Sequence, residues 1–435
     1  MHALLDWPIY AEIFSSAQMR AVFSQDATIA RWLEVETAIA AAQSELGMVP
    51  AEAASAIAGA AKPAAIDRER LAADTLLAGR PIVGLCNQLK EHLDERHRDW
   101  LHWGTTTQDV MDSASMLQVR DGLALLDEES AALATRLATL AEAHRETAMV
   151  GRTNGQHAQP LSFGLKLDVW VEELARRRAA LAEAARRGLM LQLGGAVGSL
   201  AAYGGQGLAL RRRIARRLGL SAPRVHWQNA RDGIAEILAA LGLLCASLEK
   251  IAREVNRLAG SDIAELSEGH RPGRGTSSAM AHKRNQRSSE FAEATARLGR
   301  QRAGAAPEIM QHEHERSGGA WIVEWASLPE VFLYASGALM WSRRLFEALE
   351  VHEAAMADNL AASRGLVYSE RVTLALASRL GRAAARRLVE RAAEAVRADG
   401  LTLRQALDRE PHAWQGFEAE EIDSLFDPNR HLGPG

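Results

Sequence analysis

Two cysteines in 435 residues, Cys86 and Cys245, leave no basis for a disulfide framework. Both lie among apolar neighbours, as expected of buried thiols in a reducing compartment. Aromatic residues make up only 5% of the chain, so the interior must be built mostly from Leu, Ala, Ile and Val. There is no excess of positive charge either. A net charge of −4 argues against binding driven by nucleic-acid phosphates. The start, MHALLDWPIY, has neither a basic segment nor a long apolar run, so no export signal is expected. The most apolar stretch, GIAEILAALGLLCASLEKIA, is interrupted by Glu236 and Glu249 and is too short to span a bilayer. These absences predict a soluble, cytoplasmic protein with no membrane or nucleic-acid partner.

Several catalytic signatures are also missing. No G-x-x-x-x-G-K-[ST] loop or nucleophile elbow occurs. Gly194, Gly195, Gly198, Gly204, Gly205 and Gly207 lack the dinucleotide spacing and follow no strand, so they are expected to bend the chain between helices. His312 and His314 come without H-E-x-x-H or paired cysteines, which favours a charged helix end over a metal site. No metal or organic cofactor is expected. The arginine clusters at 176–178, 186–187 and 211–213 read as solvated faces or subunit contacts.

Helical periodicity is abundant, whereas strand signals are nearly absent. From Asp232, apolar residues recur at Ile234, Ile237, Leu238, Leu241, Leu244, Cys245, Leu248, Ile251, Val255 and Leu258, the spacing of one helix face. Similar patterns cover 162–193, 288–303 and a segment from about 320 past 345. Helices this long should pack side by side. The chain exceeds what one core usually organises, and its breaks suggest three helical domains. Residues 1–110 hold shorter helices punctuated by Pro50, Pro63 and Pro81; residues 111–358 hold a central long-helix bundle; residues 359–435 form a helical cap.

Three polar stretches interrupt these patterns: LHWGTTTQDVMDSA at 101–114, GRTNGQHAQPLSFG at 151–164, and GRGTSSAMAHKRNQ at 273–286. HEHERSGGAWIVEW follows at 312–325. Each alone reads as a solvated connection between helices. Together they offer hydroxyls, amides and cations with few carboxylates, a composition suited to gripping an acidic substrate.

SSAMAHKRN closely resembles the G-S-S-x-M-P-x-K-x-N signature of the fumarase/aspartase superfamily, and HWGTTTQD and RTNGQHAQPLSFG resemble its other two regions, in order. MRAVFSQDATIARWLEVETAIAAAQSELGMVP, AGRPIVGLCNQL, HERSGGAW and the ending DPNRHLG resemble the 3-carboxy-cis,cis-muconate cycloisomerase branch, with adenylosuccinate lyases as near relatives. The resemblance implies an all-α fold, a homotetramer with active sites shared between subunits, and a small di- or tricarboxylate substrate. It implies anti addition to, or elimination from, a carbon beside a carboxylate. Carried over by position, Ser277 transfers the proton, activated by loop amides and Lys283, with Ser278 a hydrogen-bond partner in the loop. Lys283 and Asn285 hold one carboxylate; Thr106 and Thr107 hold another, with His102 beside them. Gln156, Arg231 and Arg316 line the site.

Five substitutions depart from the family pattern. Ala281 and Gln286 replace prolines, which predicts a more flexible loop, and Thr276 replaces a glycine. Asn154 stands where many members carry the histidine that protonates the leaving group, and Trp325 where adenylosuccinate lyases carry a phosphate-binding arginine. Asparagine cannot cycle a proton, and tryptophan adds apolar bulk in place of charge. Both fit lactonisation of 3-carboxy-cis,cis-muconate in protocatechuate breakdown. They fit equally a lyase that ejects a stable anion such as nitrite to leave fumarate. His157 as a substitute acid keeps an aspartate- or adenylosuccinate-type C–N lyase open, and a member that has lost catalysis and serves as a binding protein is a further alternative.

Overall fold

The computed structural model describes residues 5, 7–269 and 273–432. Most of the opening MHALLD and the last three residues of DPNRHLGPG lie outside the described residues. The fold is all-α in character, with four short strands among the described residues, paired as two two-stranded antiparallel sheets. The principal helices are α1 (Gln25–Glu45), α2 (Pro81–Glu91), α3 (Thr107–Ala143), α4 (Phe163–Gly188), α5 (Gly207–Leu218), α6 (Asp232–Leu258), α7 (Arg287–Ala303), α8 (Gly318–Glu347), α9 (Ser369–Leu380) and α10 (Arg382–Asp399). Between α3 and α4 runs a hairpin of β1 (Ala148–Thr153) and β2 (Gln156–Ser162); β3 (Leu266–Glu268) pairs with β4 (Leu349–Val351).

Helix α6 shows why the periodicity was informative. All ten residues of its apolar series, from Ile234 to Leu258, are buried, while Leu243 on another face is 53% exposed. Burying a large aliphatic side chain contributes about 1.5–3 kcal/mol, so packing outweighs the few tenths per residue that separate helix propensities. Helix α3 is absent from the four sequence patterns for the opposite reason. Val110, Met111, Ala114, Met116, Leu117 and Val119 are all buried, so no single polar face marks its period.

The chain divides into two compact units that draw on the same five long helices. One comprises Met1–Ala131, Arg176–Glu249 and Phe291–Trp341; the other comprises Ala132–Ala175, Lys250–Glu290 and Ser342–Gly435. The core of the first includes Ile29, Leu33 and Ile39 of α1, Leu117 of α3 and Phe332 of α8. In the second, Val372 and Leu376 of α9 pack with Leu388, Ala392 and Val396 of α10.

Two expectations are corrected here. Residues 151–164, read as a polar connection, form most of the β1–β2 hairpin. Its turn is Asn154-Gly155, with φ of 52° and 75°, the paired left-handed residues that a two-residue hairpin turn requires. Arg211, read as part of a solvated basic cluster, is 2% exposed. Its guanidinium donates to the carbonyl of Leu193, in the irregular crossing between α4 and α5, and to those of Pro223 and Arg224, in the segment between α5 and α6, satisfying acceptors without regular partners. Within that crossing, a Cβ at Gly198 (φ 84°) would lie 2.1 Å from the His226 ring, so only glycine fits. Among the described residues, no helix is long and apolar enough to cross a membrane.

Candidate active site

The threonine stretch sits at the N-terminus of α3, where Asp109 shapes the turn. Its carboxylate is fully buried and accepts from the backbone N–H groups of Thr106 (3.1 Å), Gly194 (2.8 Å) and Gly195 (2.9 Å) and from Gln192 Nε2 (3.1 Å). Burial pushes its pKa above the usual aspartate range, while these donors pull the other way. The network clips the glycine-rich crossing to the start of α3 and leaves Thr106 and Thr107 partly exposed. Arg316, just before α8, is exposed and donates through Nη1 to Thr106 Oγ1 at 3.0 Å.

His102 precedes this turn with a left-handed φ of 61°, and its Nδ1 lies 2.6 Å from Oε1 of the buried Glu36 on α1. Burial disfavours the charged imidazolium, but the Glu36 carboxylate outweighs it and raises the histidine pKa above its ordinary value. Cys86 Sγ donates to the same oxygen at 3.7 Å, whereas Glu36 Oε2 is buried without a partner. Glu36, Cys86 and His102 are one trio among the described residues whose donor atoms could meet at a metal, within 4.8 Å of one another. The chemistry is unfavourable. Burial, and then Glu36, push the thiol well above its usual range, and a metal ligand needs the thiolate.

Arg231 departs from its expected role as a substrate ligand. It is 1% exposed, and four N–H···O contacts from its guanidinium reach carboxylates. Asp112 of α3 accepts at 2.6 and 3.1 Å and Glu324 of α8 at 2.9 Å, with a further contact from Nη2 to Glu324. Trp321 Nε1 also donates to Asp112, at 2.9 Å. The triad therefore cross-links three helices and fixes the start of α8. Trp325 stacks edge-on against Trp321, with ring centroids 5.0 Å apart. The guanidinium of Arg80 lies over both rings, 4.9 Å from Trp321 and 5.2 Å from Trp325. Arg80 and Glu36 were not singled out from sequence. The one available signal for Arg80 was its place ahead of Pro81 in AGRPIVGL, where proline opens a helix.

The other polar stretches fall in the second unit. Asn154, Gln156 and His157 are exposed at the tip of the β1–β2 hairpin. Arg152 anchors that hairpin through two bonds to buried Glu265, at 2.9 and 2.7 Å. The serine loop closes on itself: Gly275 O accepts from the N–H (2.8 Å) and Nδ2 (3.1 Å) of Asn285, and Thr276 bridges Arg284. A Cβ at Gly275 (φ 66°) would lie 2.3 Å from Asn285 O. Ser277 Oγ accepts from the N–H groups of Ala279 (3.3 Å) and Met280 (3.1 Å), donors that would favour its alkoxide. Ser278 and Lys283 are exposed, and Lys283 has no carboxylate partner among the described residues. Gln286, where the family carries proline, accepts the N–H of Glu268 at 2.8 Å, and Glu268 in turn caps α7 through Ser288 N (2.8 Å) and Ser289 N (2.8 Å). The base of the loop is thus pinned where proline would only have stiffened it.

The structure brings Thr106 together with Arg316, and Gly275 with Asn285. His102, Thr106, Thr107, Arg231 and Arg316 belong to one unit; Asn154, Gln156, His157, Ser277, Ser278, Lys283 and Asn285 belong to the other. The second unit offers a hydroxyl that can exchange a proton, with Lys283 in the same loop; the first offers Thr106, Thr107 and Arg316, hydroxyls and a cation suited to a carboxylate.

A family profile described as lyase matches residues 13–298, and one described as adenylosuccinate lyase C-terminus matches 365–434. A 3-carboxy-cis,cis-muconate cycloisomerase of Bradyrhizobium diazoefficiens is 39% identical, over 98% of this chain and 95% of its own length. A fumarate lyase from Mesorhizobium sp. BNC1 has a TM-score of 0.90 at 38% identity, covering 97% of this chain and 96% of that one. The 3-carboxy-cis,cis-muconate lactonizing enzyme from Pseudomonas putida has a TM-score of 0.89 at 35% identity, covering 97% and 94%.

Proposed function

This chain belongs to the fumarase/aspartase superfamily of lyases, and from that premise we propose that it is a cycloisomerase converting 3-carboxy-cis,cis-muconate to its carboxymuconolactone. The observation that carries the reading is Asn154, exposed at a hairpin tip where many members hold an acid histidine. A reaction whose nucleophile is itself a carboxylate needs no such acid. Trp325 supports the same reading, since an indole packed on Trp321 offers a nucleotide phosphate neither positive charge nor a bidentate fork. The named activities of the similar cycloisomerases point the same way.

In this mechanism Thr106, Thr107 and Arg316 hold one substrate carboxylate, with His102 nearby. Lys283 and Asn285 hold the carboxylate beside the reacting carbon. The third substrate carboxylate adds to the alkene, and negative charge spreads into the carboxylate beside the reacting carbon as an enediolate-like form. Ser277 then protonates the carbon beside it, on the face opposite the new C–O bond. Loop N–H donors offset the poor acidity of a free serine, and loop closure excludes water. Ser278 and Gln156 contribute hydrogen bonds, and His157 is the hairpin's remaining group able to exchange a proton. Arg231 positions rather than binds. The residues gather into complete sites in a homotetramer, each site drawing on several copies, in the cytoplasm.

Absorbance separates this reading from its rival, because Asn154 fits an anion-ejecting lyase equally well. Loss of conjugated-diene absorbance from carboxymuconate supports lactonisation. Growth of fumarate absorbance from a nitro- or amino-substituted succinate, with carboxymuconate untouched, replaces it with the elimination. Silence on the whole panel points to a binding protein.

A further inference from the structure

We propose that Arg80 is a substrate-binding residue that extends the carboxylate site of Arg316 and Thr106 into a cradle, which holds a further carboxylate beside the one bound there and so selects tricarboxylates over dicarboxylates. This rests on the proposed function for the location of the site, though not for the identity of the substrate.

Arg80 immediately precedes α2 and is half-buried. Its guanidinium lies over Trp321 and Trp325 at 4.9 and 5.2 Å. Stacking on an indole face leaves the in-plane N–H edge of a guanidinium available for bidentate recognition of a carboxylate. That edge is not consumed by the protein: one N–H of Nη1 donates to Gly79 O at 2.5 Å, and no carboxylate pairs with Arg80 among the described residues. Nearby arginines behave differently. Arg68 pairs with Asp26 at 2.8 Å and Arg70 with Glu91 at 2.6 Å.

The surroundings of Arg80 are electropositive. Its Nη2 lies 3.6 Å from where a Cβ would stand on Gly318, the first residue of α8. A 30-residue helix thus begins beside it, with its N-terminal N–H groups and the positive end of its dipole. Arg316, two residues before that helix, likewise has no carboxylate partner among the described residues, and its bond to Thr106 brings in the N-terminus of α3. Burial and then the charge of Arg316 lower the pKa of Arg80, as expected of two cations that share a site without a counter-ion. The platform is rigid, because Trp321 is tied to Asp112 within the buried triad. Arg80, Arg316, Thr106 and both tryptophans belong to one compact unit, so a single copy supplies the whole cradle.

Titration calorimetry and tryptophan fluorescence on the full-length protein, with propane-1,2,3-tricarboxylate and succinate as probes, test this directly. One bidentate charge-assisted contact should give the wild type about a tenfold or greater preference for the tricarboxylate. Arg80→Gln should abolish that preference and the ligand-induced indole change while leaving succinate affinity within about twofold; Arg80→Lys, which keeps charge but not the fork, should recover only part. A tenfold preference that survives in Arg80→Gln overturns the proposal, as does an equal loss of both probes, which marks Arg80 as merely structural. So does a wild type that fails to prefer the tricarboxylate. Wild-type protein that shows the Arg80-dependent preference yet does not turn over carboxymuconate upholds the cradle and sinks the proposed reaction alone.

Discussion

His102 and Glu36 are 66 residues apart in sequence, yet their contact sets the charge at one edge of the site. Glu36→Gln removes the carboxylate that opposes burial most strongly and leaves Asp109 as the remaining raising influence, so the His102 pKa should fall from its raised value. Nuclear magnetic resonance titration of the imidazole reads this directly, and an unmoved pKa would remove Glu36 from the account. A raised folded-state pKa stabilises the fold fully below about pH 6.5 and loses that contribution as pH climbs through the raised value. The stability gap between wild type and Glu36→Gln should therefore narrow as pH rises above neutrality. Ser277→Ala should cut turnover by roughly 10²–10⁴-fold or more with ligand binding retained, and Ser278→Ala should not. The reverse pattern in steady-state kinetics transfers the role to Ser278. Ser277, Lys283, Thr106 and Arg316 were named because their motifs resemble the family's; what the fold adds is local, the Arg316–Thr106 bond and the N–H groups donated to Ser277 Oγ. The role of Arg231 was misread because its counter-ions, Asp112 and Glu324, lie 119 and 93 residues away. Only the fold shows that its charge is already spent.

Elements place these residues, and two of them make separate predictions. In the serine loop, Gly275→Ala introduces a Cβ 2.3 Å from Asn285 O at a left-handed φ of 66°. The loop is largely exposed, so the melting temperature should fall little while kcat falls strongly; unchanged kcat would mean that the Gly275–Asn285 closure is irrelevant to turnover. The buried triad predicts the opposite balance. Arg231→Met leaves two buried carboxylates facing each other across α3 and α8, which should destabilise the protein by roughly 3–5 kcal/mol in denaturant unfolding. A loss below about 1 kcal/mol would show that the triad is not a structural cross-link. The β1–β2 hairpin escaped notice in the sequence for a physical reason. Gly151 and Pro160 are poor strand residues, and Arg152, Gln156 and His157 show no apolar alternation, leaving Asn154-Gly155 as a lone turn signal.

At the scale of the whole molecule, the long helices were legible wherever one face was apolar and another polar, as in α6, and illegible where burial surrounds the helix, as in α3. Large apolar residues also remain exposed on these helices, including Leu243 at 53% and Val169 at 54%. Partner copies that cover such positions would account for them, so light scattering at micromolar concentration should report a tetramer. A stable, active monomer would rule out shared sites. The most direct test of the reaction itself is to run carboxymuconate with the wild-type protein in deuterium oxide and examine the product by nuclear magnetic resonance. The account predicts a carboxymuconolactone carrying one deuteron at the carbon beside the carboxylate, on the face opposite the ring oxygen, and no such product from Ser277→Ala. Deuterium on both faces, or untouched carboxymuconate alongside fumarate formed from a substituted succinate, would contradict it.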